Sequence, residues 1–392
     1  MSVTAPAGFV AGGVACGIKP GGGLDLALVA TADGLAVPAA AVFTTNRAAA
    51  ASVQVSRRHL TTSGGRAAGM VLSSGNANAA TGARGVADVE EMAAAVAVGL
   101  GAGLDAHHVL VAQTGLIGIP LPMGPVRRGL PAVLADRSGD REASARAARA
   151  IMTTDTVQKE IVVHGSGFRV GAMAKGAAML APNMATMLAI LTTDAVVDPH
   201  DLSAALSRAV SGTFNRLSVD GSMSTNDTVA ILASGASGST PAAAELADVL
   251  GQVCGQLARM MAEDAEGATK VAVVRVLRAV SDEEAHRAAR QVAESQLVQC
   301  SLNGADPYWG RVVSELGAAG ATFDLDRVSI EYGGVTVCRA GQGIDHDDVA
   351  LAAHMAGRTV EITCDLGLGT GEAAVLTTDL GYGYIDENRT TS

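Results

Sequence analysis

The chain has 392 residues, 48% hydrophobic and 17% charged, which excludes a disordered polymer and leaves room for one large α/β unit or two domains. Its formal net charge is -11, and the only adjacent basic residues of note are the isolated pairs Arg57-Arg58 and Arg127-Arg128, which excludes a nucleic-acid binder. Aromatic residues make up 3%, so Ala, Val, Leu and Met must build the core, and 47 glycines imply many tight turns.

In chain order, apolar runs predict strands at 24–30, 39–43 and 69–72, the last running into Ser74-Gly75-Asn76-Ala77-Asn78. A helix is expected from Asp88, with Glu90 and Glu91 in its first turn and Gly99 and Gly101 as its stop. A strand at 109–112 ends at Gln113-Thr114-Gly115, and 140–151 is an Ala/Arg helix. Asp198 is the expected N-cap of a helix over 199–210. Leu246, Val249, Leu250, Val253, Leu257 and Met261 mark one face of a helix over 242–262. A strand at 271–277 follows, then a helix opened by a Ser281/Glu284 capping box. Residues 328–337 read as a hairpin turning at Gly333-Gly334, with strands at 360–364 and 373–377 beyond it. Strands and helices alternate, but several strands come as hairpins, so the expected fold is α/β with mixed sheets covered by helices. No repeat and no linker marks a domain boundary.

Five scattered cysteines without a C-x-x-C argue against a disulfide framework or a zinc site, and for small buried residues in a reducing compartment. The first positive side chain is Lys19, so no secretory signal is expected. The uncharged stretch 176–193 contains Pro182, Asn183, Thr186, Thr192 and Thr193 and reads as a buried segment, not a membrane span. The expected location is cytoplasmic.

That stretch also carries the most informative chemistry. A threonine hydroxyl is a weak nucleophile without a base beside it. The α-amino group of the same residue is one such base, with a pKa of about 7.7–8.0, but it exists only once the preceding peptide bond is cut. Thr186, preceded by the small Ala185 and with Pro182 turning the chain upstream, is a candidate for that arrangement. On chemistry alone, a buried strand with one threonine is the commoner meaning of such a segment.

The surrounding residues sharpen the choice. Lys175-Gly176-Ala177-Ala178-Met179-Leu180-Ala181-Pro182-Asn183-Met184-Ala185-Thr186 resembles the self-cleavage motif of the ornithine acetyltransferase family, K-G-x-G-M-L-x-P-x-M-A-T-M-L, departing at Ala178. Further similar segments follow the family's order: Ser74 to Gly82, Thr114-Gly115-Leu116-Ile117-Gly118, Ala150 to Thr156, Asp220-Gly221 with Ser224 to Thr228, Asp264 to Lys270, and Asp306-Pro307-Tyr308-Trp309-Gly310-Arg311. Tyr308 stands where the family has Asn, and Ser73 and Ala80 also depart.

The resemblance implies a self-cleaving enzyme with an N-terminal-threonine nucleophile, a layered α-β-β-α core and a smaller C-terminal lobe. It implies cleavage between Ala185 and Thr186 into chains 1–185 and 186–392, assembled as an α2β2 heterotetramer. The implied reaction moves an acetyl group from N-acetylornithine to glutamate; some members also use acetyl-CoA. Thr186 is the implied nucleophile, and Thr114 and Gly115 the oxyanion hole. Thr153, Lys175, Thr186, Glu266, Asn388 and Ser392 are the implied substrate contacts, with Lys175 suited to a carboxylate and Glu266 to an amino group. The tail is one residue short of the family pattern, so Ser392 or Thr391 takes the last position. Alternatives are a self-processing amidase or aminopeptidase, and a non-catalytic small-molecule-binding relative. No cofactor and no metal are expected. Pro20 to Gly23 and Gly367-x-Gly369-x-Gly371 fit neither dinucleotide nor Walker loops, and His107-His108 and Asp345 to Asp348 lack a second ligand pair at regular spacing.

Overall fold

The computed structural model describes residues 2–101, 103–180 and 187–389. The chain begins with β1 (Phe9–Val14), β2 (Leu26–Thr31), β3 (Val37–Phe43), α1 (Ala51–Thr62), β4 (Arg66–Ala67) and β5 (Gly69–Asn76). It continues through α2 (Gly82–Leu100), β6 (Val109–Leu116), α3 (Met123–Asp136), α4 (Arg141–Ile151), β7 (Lys159–His164) and β8 (Arg169–Lys175). Then come β9 (Leu188–Thr193), α5 (Pro199–Gly212), β10 (Thr228–Ala233), α6 (Ala243–Glu263), β11 (Val271–Ala279) and α7 (Asp282–Glu294). The last part holds α8 (Gln296–Asn303), α9 (Trp309–Ala318), β12 (Ser329–Tyr332), β13 (Val335–Arg339), β14 (Gln342–Gly343) and α10 (Asp348–Ala356). β15 (Thr359–Asp365), β16 (Gly371–Thr378) and α11 (Tyr382–Glu387) close the described chain.

Two sheets, in order β1-β2-β5-β6 and β4-β3-β10-β9-β8-β7, stack face to face. The period-2 alternation of their strands builds two kinds of core. Met70, Leu72 and Leu110 of the first sheet meet Met173, Leu188 and Ile190 of the second between the layers. The intervening Val71, Val109 and Val111 face outward against α1, α2 and α3, whereas Ala189 and Leu191 face outward against α5 and α6. The result is the expected α-β-β-α layering. Parallel pairs occur where a helix makes the crossover, β5 with β6 around α2 and β9 with β10 around α5. α4 closes one edge of the sandwich, and Gly13 of β1 lets it in: a Cβ there would lie 2.4 Å from the Arg146 carbonyl oxygen.

The third sheet, β14-β13-β12-β15-β11-β16, packs against α7, α8, α9 and α10 around its own core of Val274, Val276, Ile330 and Ile362. This is the smaller C-terminal lobe. Its hairpin turns at Gly333 and Gly334, both at positive φ (55° and 84°), as a two-residue turn between twisted strands requires.

The helix expected from Asp88 begins six residues earlier, at Gly82. Glu90 and Glu91 therefore sit mid-helix, where they pair with Arg58 and Arg127 instead of the helix dipole. Gly99 does not stop the helix; Gly101 does. The Ser281 hydroxyl caps α7 as expected, but the Glu284 carboxylate accepts the Thr322 amide. Of the five free cysteines, Cys254, Cys338 and Cys364 are buried, Cys16 is half-buried, and Cys300 is exposed, contrary to its expected burial. No helix among the described residues is long and apolar enough to cross a membrane.

Substituting Leu72, fully buried between the two sheets, by Ala is expected to cost about 2–5 kcal/mol in a urea unfolding curve. Val98→Ala, on the exposed face of α2, should stay within about 0.5 kcal/mol.

Candidate active site

At one end of the sandwich, the C-terminal ends of β5, β6 and β8 meet the starts of β9 and β10. There, Ser74 pairs with Thr114 and Gly75 with Gly115 across β5 and β6, and Lys175 pairs with Leu188 across β8 and β9. Gly115 has φ 131°, and a Cβ on it would lie 2.3 Å from the Gly75 carbonyl carbon. Only glycine fits this close approach of the two strands, and its exposed backbone lies beside a threonine.

Asn226, just before β10, joins the two sheets at this end. Its buried side-chain nitrogen donates to the carbonyls of Ala77 (2.7 Å) and Gln113 (2.8 Å), and its side-chain oxygen accepts from the Thr225 hydroxyl at 2.6 Å. Gln113 directly precedes Thr114, so the hydroxyl's position is set from the opposite layer.

Lys175 is buried, and its ammonium donates to the Thr114 hydroxyl oxygen at 3.4 Å. Burial pushes its pKa down, opposed first by the carboxylate of Asp155 and also by that of Glu266. Asp155 is the anion that opposes the shift most. It accepts the Lys159 ammonium (2.7 Å) and the amides of Gly176 (2.7 Å) and Thr153 (3.0 Å). Burial works against ionisation of Asp155, but the charges of Lys175 and Lys159 and these hydrogen bonds outweigh it and hold the carboxyl down at about 2. Lys159, with its side chain fully buried, also reaches Asp264 at 2.5 Å. Thr153 is half-buried and enters the cluster through its amide.

Glu266, after the end of α6, is 8% exposed; its amide donates to the Ala177 carbonyl at 2.9 Å. Asn388, itself exposed, donates to the Glu266 carboxylate at 2.8 Å, which brings the C-terminal segment to the site. Lys175, Thr114, Gly115, Glu266 and Asn388 thus converge from four separate stretches of sequence. In isolation Lys175 and Glu266 would be taken for solvated surface residues; both are buried. Ala185, Thr186, Thr391 and Ser392 lie outside the described residues. The flanking Leu180 and Met187 are buried in the core beneath α5 and α6.

Motif matching quotes Asp155, Asp220, Asn226, Asp227 and Asp264 but assigns them no role. All five stand in short polar stretches that read as ordinary loops, and the sequence does not reveal partners as distant as Lys159 for Asp264, 105 residues apart, or Tyr384 for Asp220, 164 apart. His107 and His108 form a 3-10 turn with Asp105, whose amide donates to His108 Nδ1 at 3.1 Å. Their ligand-type atoms come within 4.8 Å of one another, which sequence spacing had not suggested.

A family model described as the ArgJ family matches residues 10–390. An arginine biosynthesis bifunctional protein ArgJ from Mycolicibacterium paratuberculosis is 48% identical over 99% of this chain and 96% of its own length. One from Thermobifida fusca is 46% identical over 99% of both chains. A crystal structure of an ornithine acetyltransferase from Mycobacterium tuberculosis, complexed with ornithine, is 44% identical over 48% of this chain and 96% of that one, with a TM-score of 0.44.

Asp155→Asn leaves Lys159 and Lys175 short of an anion in a buried place, and at pH 7 it is expected to cost about 3–5 kcal/mol by urea unfolding. Because the folded pKa lies below the unfolded value, the carboxylate's contribution is complete above about 3.9. It is lost as the pH falls through about 2, so the gap between wild type and variant should narrow over that acid range.

Proposed function

The chain belongs to the ArgJ family, and from that premise we propose that it is an acyltransferase that moves an acetyl group from N2-acetylornithine to glutamate through an acetyl-threonine on Thr186. In this reading Thr186 first attacks the Ala185 carbonyl through its own hydroxyl. The peptide becomes an ester, and water opens it to leave a carboxylate on Ala185 and a free amine on Thr186. That amine then takes the hydroxyl proton as Thr186 attacks the acetyl carbon. Ornithine leaves with the proton on its released nitrogen, and the glutamate amine attacks the ester in the reverse sense.

The observation that carries the reading is the pairing of Lys175 with Thr114 at 3.4 Å, next to a glycine at φ 131°. With a lysine N–H on its oxygen, the Thr114 hydroxyl keeps its own hydrogen to donate. Together with the Gly115 amide, it forms the donor pair that we assign to the tetrahedral oxyanion. Lys175 and Glu266 are opposite charges suited to the two ends of an amino-acid substrate, with Thr153 and Asn388 beside them and Ser392 as the terminal hydroxyl. The five free cysteines support a reducing, cytoplasmic setting. The proposal includes an α2β2 assembly of the two halves, and acetyl-CoA as a second donor, in keeping with the bifunctional name of the relatives.

Intact-mass measurement of the wild type should show two fragments split between Ala185 and Thr186, and Thr186→Ala one uncut chain; an uncut, stable wild type sinks the mechanism. Loss of N-acetylornithine should depend on added glutamate, whereas equal loss without it marks a hydrolase. Thr114→Ala, assayed as matured protein, should lower kcat by about 10²–10³-fold.

A further inference from the structure

The short segment 219–228 holds the chain on both sides of residues 181–186. Upstream, the Val219 amide donates to the Leu180 carbonyl (2.6 Å), and Asp220 Oδ2 accepts the Met179 amide (2.6 Å). Met179 has φ 52°, a left-handed conformation that a residue with a side chain adopts only when its surroundings enforce it. Downstream, Asp227 Oδ1 accepts the Met187 amide (3.0 Å), and the Thr228 amide donates to the Met187 carbonyl (3.1 Å). Both backbone polar groups of Met187 are therefore committed. The Leu180 and Met187 side chains sink into the same core.

We propose that segment 219–228 is a two-ended clamp for self-cleavage, with Asp220 and Asp227 as the positioning residues that fix the flanks of the Ala185–Thr186 bond. The inference rests on the reading that this bond is cut. An intramolecular attack on the preceding carbonyl needs its two ends held in register, and fixing both flanks from one short segment removes freedom that would spoil it. Neither carboxyl is assigned a proton transfer; each acts as an acceptor for an amide. Burial pushes both carboxyls above the usual carboxylate range, and a neutral acid offers the same acceptor oxygen as a carboxamide. Asp220 also accepts the Tyr384 hydroxyl at 3.2 Å, which ties the clamp to α11 and so to the segment bearing Asn388.

The test follows self-cleavage by intact mass over time in full-length wild type, Asp220→Ala, Asp227→Ala, Asp220→Asn and Asp227→Asn, with melting curves alongside. The Ala variants should mature about 10- to 100-fold more slowly, and the Asn variants within about threefold of wild type. Ala variants with wild-type melting curves and wild-type maturation would overturn the clamp, as would Asn variants as slow as their Ala counterparts. If Asp227→Ala does not fold, Asp220→Ala decides, since Asp220 is only half-buried. A wild type that never splits would instead overturn the cleavage reading beneath the proposal.

Discussion

The Asn226 carboxamide spends both of its hydrogens on two carbonyls of the opposite sheet, those of Ala77 and Gln113. Ala77 directly follows β5 and Gln113 lies within β6, the edge strand of its sheet, and a buried carbonyl left unpaired costs about 1–3 kcal/mol. These two bonds make Asn226 a direct tie between the layers at that end of the sandwich. Thr114 and Gly115 come from one sheet, and Lys175 and Leu188 from the other. Without the tie, nothing in either sheet alone would set the 3.4 Å separation of Lys175 and Thr114.

A second constraint is electrostatic. Two lysines lie fully or almost fully buried around one aspartate, and Asp264 and Glu266 stand near enough to share the charge. The same crowding desolvates Lys175 and lowers its proton affinity. A cation in so dry a place interacts more strongly with any negative charge that develops beside it than a surface lysine would. Glu266 joins the network without losing contact with the C-terminal segment, through Asn388.

The parts of the fold legible in the sequence are those whose cause is local. Asp198 accepts the amides of His200 and Asp201, as a helix cap must, and the Gly333-Gly334 turn needs no distant partner to form. The start of α2 was hidden because its cap residue does not cap. Thr81 donates its hydroxyl to the Asn78 side chain, so the helix begins at Gly82 with no side-chain bond to announce it. β8 and β9 are buried on both faces, so neither shows the alternation that would separate them from the apolar run between. At the site, motif resemblance named Thr114, Gly115, Lys175, Glu266 and Asn388. The carboxyls beside them, Asp155 on the Lys159 ammonium and the Gly176 amide and Asp227 on the Met187 amide, carried no implied role because their partners are brought in by topology.

The second sheet is woven from both sides of residues 181–186. β3, β4, β7 and β8 precede that stretch and β9 and β10 follow it, with β10 bonded to β3 and β9 to β8. A break there would leave two central strands of one polypeptide threaded between strands of another. Separating them would mean rupturing two full ladders and the apolar layers on both faces, so the halves would be held by kinetics as much as by affinity. Once unfolded, however, the broken protein would have to reassemble in a second-order encounter, without the connecting peptide that had kept the strands at high effective concentration. The uncut chain would then be the form that carries the folding information, and its product a durable state with no easy route back.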